Sequence, residues 1–294
     1  MYCDLVNKSL YGISALETLA PRFHKKKILQ LPDFILDSTR KRIVESIVKN
    51  SESRIYNQNS LVDSLAQLDS IMENKNKDTI KQHAILDGKH IQEQLPELHF
   101  YYHNCLPEYV SAMINRKVYS INEIGTMNNS IILYENENDS IRWHTDKSMF
   151  NDKKVVTLLL YLLNESTQEL CYIENDTSPG DSNNEPTILC GRTEENSGIL
   201  LEHFVLKHYV SPLKKGEKRI VWSMTFAEDM NLPTLSSYTK NKVKNISYLG
   251  LRAINATDVL VVIVIILIIL VIVLVVGWRR INKTKKKDKK RRKN

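Results

Sequence analysis

Residues 142–146 read Arg142-Trp143-His144-Thr145-Asp146. Side chains alternate along a strand, so His144 and Asp146 would share a face and could reach one cation. Imidazole and carboxylate together suit a divalent first-row metal, although a pair of surface residues would look the same in sequence. A third ligand has to come from elsewhere. His203 and His208 both stand in a strand-like region downstream, and His208 is followed by Pro212, a turn residue at Gly216 and a last apolar run at 219–226. His24, His83, His90, His99 and His103 fall in a part of the chain that reads as helical and are expected to be surface or core residues.

The elements that must position such a cluster are legible in the hydrophobic pattern. Residues 38–50 place Ile43, Val44, Ile47 and Val48 on one helical face behind Asp37 or Ser38 as cap, and residues 60–72 repeat the pattern through Leu61, Leu65, Leu68 and Met72. Residues 106–118 read as a third helix with Pro107 in its first turn, and 98–102 alternate like a short strand. From Ser130 onward the pattern changes to SIILYE, VVTLLLYLL, ELCYI, PTILC, GILLEHFVL, HYVSPL and RIVWSMTF, short β-rich runs separated by Asn, Asp, Gly, Pro and Ser. Such spacing predicts a sandwich or barrel. Residues 174–186 are too polar for a strand and are expected to form a loop between hairpin arms.

The order of landmarks is specific. His144-x-Asp146, the distal His208 and then Pro212, Gly216 and a basic residue resemble the ligand pattern of the 2-oxoglutarate/Fe(II) dioxygenases, in particular their prolyl 4-hydroxylase-like branch. Tyr134, ten residues before His144, the turn at Asn138-Asp139 and the strand at 157–164 match further parts of that pattern. The resemblance covers about residues 130–228. It implies an α+β fold built on a double-stranded β-helix, a jelly-roll or cupin-like barrel, with an N-terminal helical layer. It implies Fe(II) held by His144, Asp146 and His208, with 2-oxoglutarate and O2 as cosubstrates, ascorbate as an optional reductant, and succinate and CO2 as products. Two imidazoles and a carboxylate on one side of the metal leave positions for 2-oxoglutarate and O2. His203 lacks the downstream Pro-Leu and Gly turn at the family's spacing and is set aside as the distal ligand.

The far carboxylate of 2-oxoglutarate would need a cation inside the barrel, and Lys218 and Arg219 compete for that role. If Arg219 points inward, so do Val221, Ser223 and Thr225, while Ile220, Trp222, Met224 and Phe226 face outward under the helices. A planar guanidinium also matches a carboxylate with two parallel hydrogen bonds. Arg219 is therefore preferred over Lys218, with Tyr134 and Ser223 as further hydroxyl donors to the cosubstrate. The chain departs from many relatives after the YLN strand, with Thr167-Gln168-Glu169-Leu170 where a Gly-Gly-Glu run is common, which bears on the substrate side of the site.

The net charge of +7 conceals a mildly acidic body, because residues 279–294 alone hold eleven Lys or Arg against one Asp. A body of that charge argues against nucleic acid as a partner. Residues 259–276 are an unbroken run of Val, Ile and Leu; with Gly277 and Trp278 they would span roughly 30 Å as a helix. The expectation is a single-pass anchor whose basic tail meets anionic lipid headgroups. The N-terminus lacks an uninterrupted apolar stretch of the secretory kind, so a tail anchor with the body in the cytosol is the adopted placement, although the positive tail argues for the reverse. Sequons at Asn7, Asn128, Asn138, Asn164, Asn175, Asn245 and Asn255 decide nothing alone. Cys3, Cys105, Cys171 and Cys190 are widely spaced, which suggests neither a disulfide framework nor a zinc site, and a reducing compartment is the default.

The organisation expected is a mainly helical layer at 1–115, a dioxygenase barrel at 116–230, a juxtamembrane linker at 231–257, a transmembrane helix at 258–278 and a polybasic tail at 279–294. The function implied is a membrane-anchored dioxygenase hydroxylating a protein side chain. The competing reading is a membrane-tethered scaffold that keeps the barrel without its catalysis.

Overall fold

In a computed structural model of the chain, the residues described are 5–9, 11–57, 81–121, 128–145, 155–174, 187–202 and 206–228. The helices are α1 (Ile13–Lys26), α2 (Asp37–Lys49), α3 (Gly88–Gln94), α4 (Pro96–Asn104) and α5 (Leu106–Ile114). The strands are β1 (Ile28–Leu31), β2 (Ile55–Asn57), β3 (Lys81–Leu86), β4 (Tyr119–Ser120), β5 (Asn129–Tyr134), β6 (Ser140–Thr145), β7 (Val155–Glu165), β8 (Glu169–Glu174), β9 (Thr187–Arg192), β10 (Gly198–Glu202), β11 (Lys207–Val210) and β12 (Lys218–Ala227).

The strands pair antiparallel in two curved sheets. One runs β1-β10-β7-β12-β5-β3, and the other β3-β6-β11-β8-β9. Among β5 to β12, strands 5, 7, 10 and 12 lie in the first sheet and 6, 8, 9 and 11 in the second, the alternation of a jelly roll. β3 belongs to both: Lys81 and Gln82 pair with β6, while Ala84 to Leu86 pair with β5, so the crossing falls at His83.

Strand alternation decides what each face meets. On the outer side of the first sheet, Ile131, Leu133, Val156, Leu158, Leu160, Leu200, Ile220, Trp222, Met224 and Phe226 join one apolar core with Phe23, Ile43, Ile47, Leu98, Tyr102 and Val110 from the helices. The inner residues Ile132, Tyr134, Tyr161, Ile199, Leu201 and Val221 form a second core with Ile141, Leu170 and Val210 of the opposite sheet. Each large side chain so buried contributes about 1.5–3 kcal/mol. A bulge on β7, opposite Ile220 and Val221, shifts the alternation by one residue, so that Tyr161 and Asn164 both sit on the inner side, opposite Val221 and Arg219. The Arg40 side chain of α2 holds this irregularity, donating to the Leu162 carbonyl at 2.9 Å and pairing with Glu195 at 2.6 Å.

Four expectations need correction. The segment 1–115 is not only helical: β1, β2 and β3 lie in it, and β3 is a wall of the barrel, which therefore begins before residue 116. Residues 98–102 are helical, because Pro96 opens α4 at a position where a missing N–H costs nothing. The helix expected over 106–118 stops at Ile114, where Asn115 takes a left-handed conformation (φ 48°). Cys171 and Cys190, opposite each other on β8 and β9, form a disulfide, a pairing made by hairpin register and not visible in their spacing. Disulfides persist mainly in oxidising compartments, which sets this one against the reducing default. No helix among the described residues is long and apolar enough to cross a membrane, and the expected elements at 60–72, 174–186, 231–257, 258–278 and 279–294 fall largely or wholly outside them.

Candidate active site

β6 and β11 bring the two histidines together. His144 and His208 are directly opposed in the register, on the inner side, with ring centroids 4.1 Å apart and only 8% and 6% exposure. On the outer side of the same strands Trp143 stacks on Tyr209 at 5.5 Å, which fixes the two strands against each other behind the imidazoles. The His144 Nδ1 lies 2.8 Å from the Arg142 carbonyl and the His208 Nδ1 3.2 Å from the Leu206 carbonyl. A carbonyl only accepts, so each Nδ1 donates a proton in these contacts. Asp146 and His203 lie outside the described residues.

The turn that feeds β6 is rigidly built. Asn138 adopts φ 72°, the Asp139 carboxylate accepts the N–H groups of Glu135 and Asn136, and the Asn138 N–H and Leu213 N–H cross-link this turn to the segment after β11. Gly216, at φ 84°, makes the tight turn that delivers β12, a conformation in which a side chain would be strained.

Arg219 is the second residue of β12. It points inward as the alternation requires, opposite Tyr134 on β5 and Asn164 on β7, and is 1% exposed, whereas Lys218 faces solvent. Its guanidinium carbon sits 4.7 Å from the Tyr161 ring centroid and 5.3 Å from that of Tyr134. Among the described residues its one geometrically well-defined hydrogen bond is a long one, Nη1 to the Gln168 Oε1 at 3.3 Å, with the Tyr161 hydroxyl close by; Nε has no partner there and no carboxylate pairs with the group. Burial pushes the Tyr134 and Tyr161 phenols upward, with Arg219 opposing in both, so the two rings are neutral donors at physiological pH. The Tyr161 hydroxyl is buried without a well-formed hydrogen bond among the described residues. Ser223 lies half-buried on the same inner face, four residues and roughly 13 Å along the strand from Arg219.

The arrangement therefore has a buried imidazole pair on one sheet and, on the inner side of the other, a buried cation flanked by two phenols. Three residues around Tyr134 and Arg219 were missed in sequence. His83 is not part of a helical layer; it is buried on β3 with its ring 5.6 Å from that of Tyr134. Tyr161 was hidden in a uniformly apolar run, and Gln168 was expected to bear on the substrate side, yet its side chain contacts Arg219.

No family profile and no curated protein sequence matches the chain. Solved structures do. A non-heme α-ketoglutarate-dependent carbocyclase from nogalamycin biosynthesis, SnoK, superposes with a TM-score of 0.53 at 10% identity over 74% of this chain and 85% of its own. A prolyl hydroxylase from Trichoplax adhaerens, in complex with a hypoxia inducible factor peptide fragment, gives 0.52 at 11% identity over 76% and 92%. The epimerase SnoN gives 0.51 at 11% identity over 73% and 84%. The chain has the fold of the 2-oxoglutarate/Fe(II) oxygenases.

Proposed function

We propose that this chain is an Fe(II)- and 2-oxoglutarate-dependent oxygenase that hydroxylates a protein side chain, held at a membrane by residues 259–276. The observation that carries the reading is Arg219. A buried guanidinium without a counter-charge costs several kcal/mol, and that cost is recovered when an anion of fitting shape enters. Among the described residues its partners are all neutral, and the two phenols and the guanidinium together offer donors to one carboxylate.

His144 and His208 supply two imidazoles oriented by their Nδ1 contacts to backbone carbonyls, the donor type that suits Fe(II), and Asp146 would supply the carboxylate. The residues fit the metal and the cosubstrate. Bound iron would supply the redox chemistry by which 2-oxoglutarate and O2 become succinate, CO2 and a hydroxyl group on the substrate. The chain's part is positional: Arg219 and Tyr161 hold the far carboxylate, Tyr134 stands beside it, and the apolar inner core excludes water from the reacting end. Ser223, on the same inner face, would offer its hydroxyl to the cosubstrate. A protein substrate is supported by the peptide in the Trichoplax prolyl hydroxylase complex.

The test uses the full-length protein. Recovered with membranes, it is expected to bind one Fe(II) and to convert 2-oxoglutarate to succinate, and His144→Ala is expected to lose both. Full recovery in the soluble fraction would sink the anchor, while iron binding without turnover on any peptide would favour the scaffold. Glycan addition in the same preparation reports which side of the membrane the body faces.

A further inference from the structure

Gln168 occupies the place where the sequence departs from the Gly-Gly-Glu run of many relatives, and its side chain is completely buried. Its Nε2 donates to the Asp139 carbonyl at 2.8 Å and to the Ser211 carbonyl at 2.7 Å, and its Oε1 accepts from Arg219 Nη1 at 3.3 Å. An amide group has two donor hydrogens and an acceptor oxygen, so one side chain joins three places at once. The Asp139 carbonyl belongs to the turn that opens β6, the strand of His144. The Ser211 carbonyl follows directly on β11, the strand of His208. Arg219 is the buried cation itself.

The backbone on either side is also fixed. Ser166 Oγ donates to Asn164 Oδ1 at 2.6 Å, and Asn164, opposite Arg219 in the register, is tied to Thr193. Gln168 is thus the buried side chain through which the imidazole-bearing strands and the guanidinium share hydrogen bonds. Its uncharged oxygen orients Arg219 without neutralising it. A carboxylate in the same place would hold the guanidinium by a charge-assisted bond and compete with any incoming anion.

We infer that Gln168 is the positioning residue of the anion site: it aims Arg219 at the far carboxylate of the cosubstrate and sets the affinity for that carboxylate by staying neutral. The inference rests on the oxygenase reading and deepens it, because it assigns this chain its own device for tuning 2-oxoglutarate affinity.

Full-length wild type, Gln168→Glu and Gln168→Ala would be compared for Fe(II) dissociation constant, 2-oxoglutarate KM, kcat and thermal midpoint. Positioning predicts that KM rises at least about tenfold in Gln168→Glu, by direct competition, and by a smaller factor in Gln168→Ala, with kcat within about threefold and Fe(II) affinity retained in Gln168→Ala. Unchanged KM in both variants would overturn the inference, as would parallel loss of iron affinity, kcat and thermal midpoint, the signature of a strut. Wild type that binds iron but not 2-oxoglutarate would instead overturn the oxygenase reading, and this inference with it.

Discussion

The two faces of β12 use polar groups in opposite ways. On the outer face Trp222 is completely buried, and its indole N–H donates to Asn129 Oδ1 at 2.7 Å. Above it the Tyr102 hydroxyl donates to the Thr225 carbonyl at 2.7 Å and accepts the Ile121 N–H at 2.9 Å. The indole N–H and the Tyr102 hydroxyl are both answered from within the fold. On the inner face Arg219 is buried just as deeply, yet among the described residues its well-defined hydrogen bond is a single long one and its Nε is unanswered. A closed hydrogen-bond set suits a residue that packs, while a buried charge left open is what the proposed anion site requires.

Breaking the outer face should therefore cost stability, and breaking the inner face should cost binding. Trp222→Ala empties the centre of the helix-covered core and is expected to destabilise by about 3–5 kcal/mol, read by chemical denaturation. A much smaller, pH-dependent effect belongs to the helical layer. Burial, and then the neighbouring His99, pushes His103 down from its ordinary 6.5 to about 4. Between those values the unfolded chain takes up a proton that the folded chain refuses, so stability falls as pH drops from 6.5 towards 4. His103→Gln is expected to flatten that part of the stability profile; an unchanged slope would remove His103 from the account.

The inner face was legible where alternation is strict. The run 219–226 alternates inner and outer residues without a break, and the structure follows that phase, which separates Arg219 from Lys218. His144 and His208 were readable because each ends or begins a clear strand, and the register then opposes them. What was not legible depends on contacts between distant segments. The direction of Asn164 relative to Tyr161 is set by a bulge defined against β12, and nothing in the uniformly apolar run announces it. His83 sits in a strand that divides its pairing between two sheets, so its meeting with Tyr134 depends on β5 and β6 together. Gln168 looked like a substrate-side difference because its three partners come from three separate turns and strands.

In the proposed function Arg219 is a buried binding group and not a structural one. The most direct measurement compares full-length wild type with Arg219→Met, an unbranched and uncharged side chain, for 2-oxoglutarate dissociation constant, Fe(II) dissociation constant and unfolding free energy in the same preparation. The account predicts 2-oxoglutarate affinity reduced by about a hundredfold or more, on the order of 3 kcal/mol, with iron affinity retained and stability unchanged or raised, because a buried charge without a counter-charge has been removed. A variant that binds 2-oxoglutarate as wild type does, while losing several kcal/mol of stability, would contradict it.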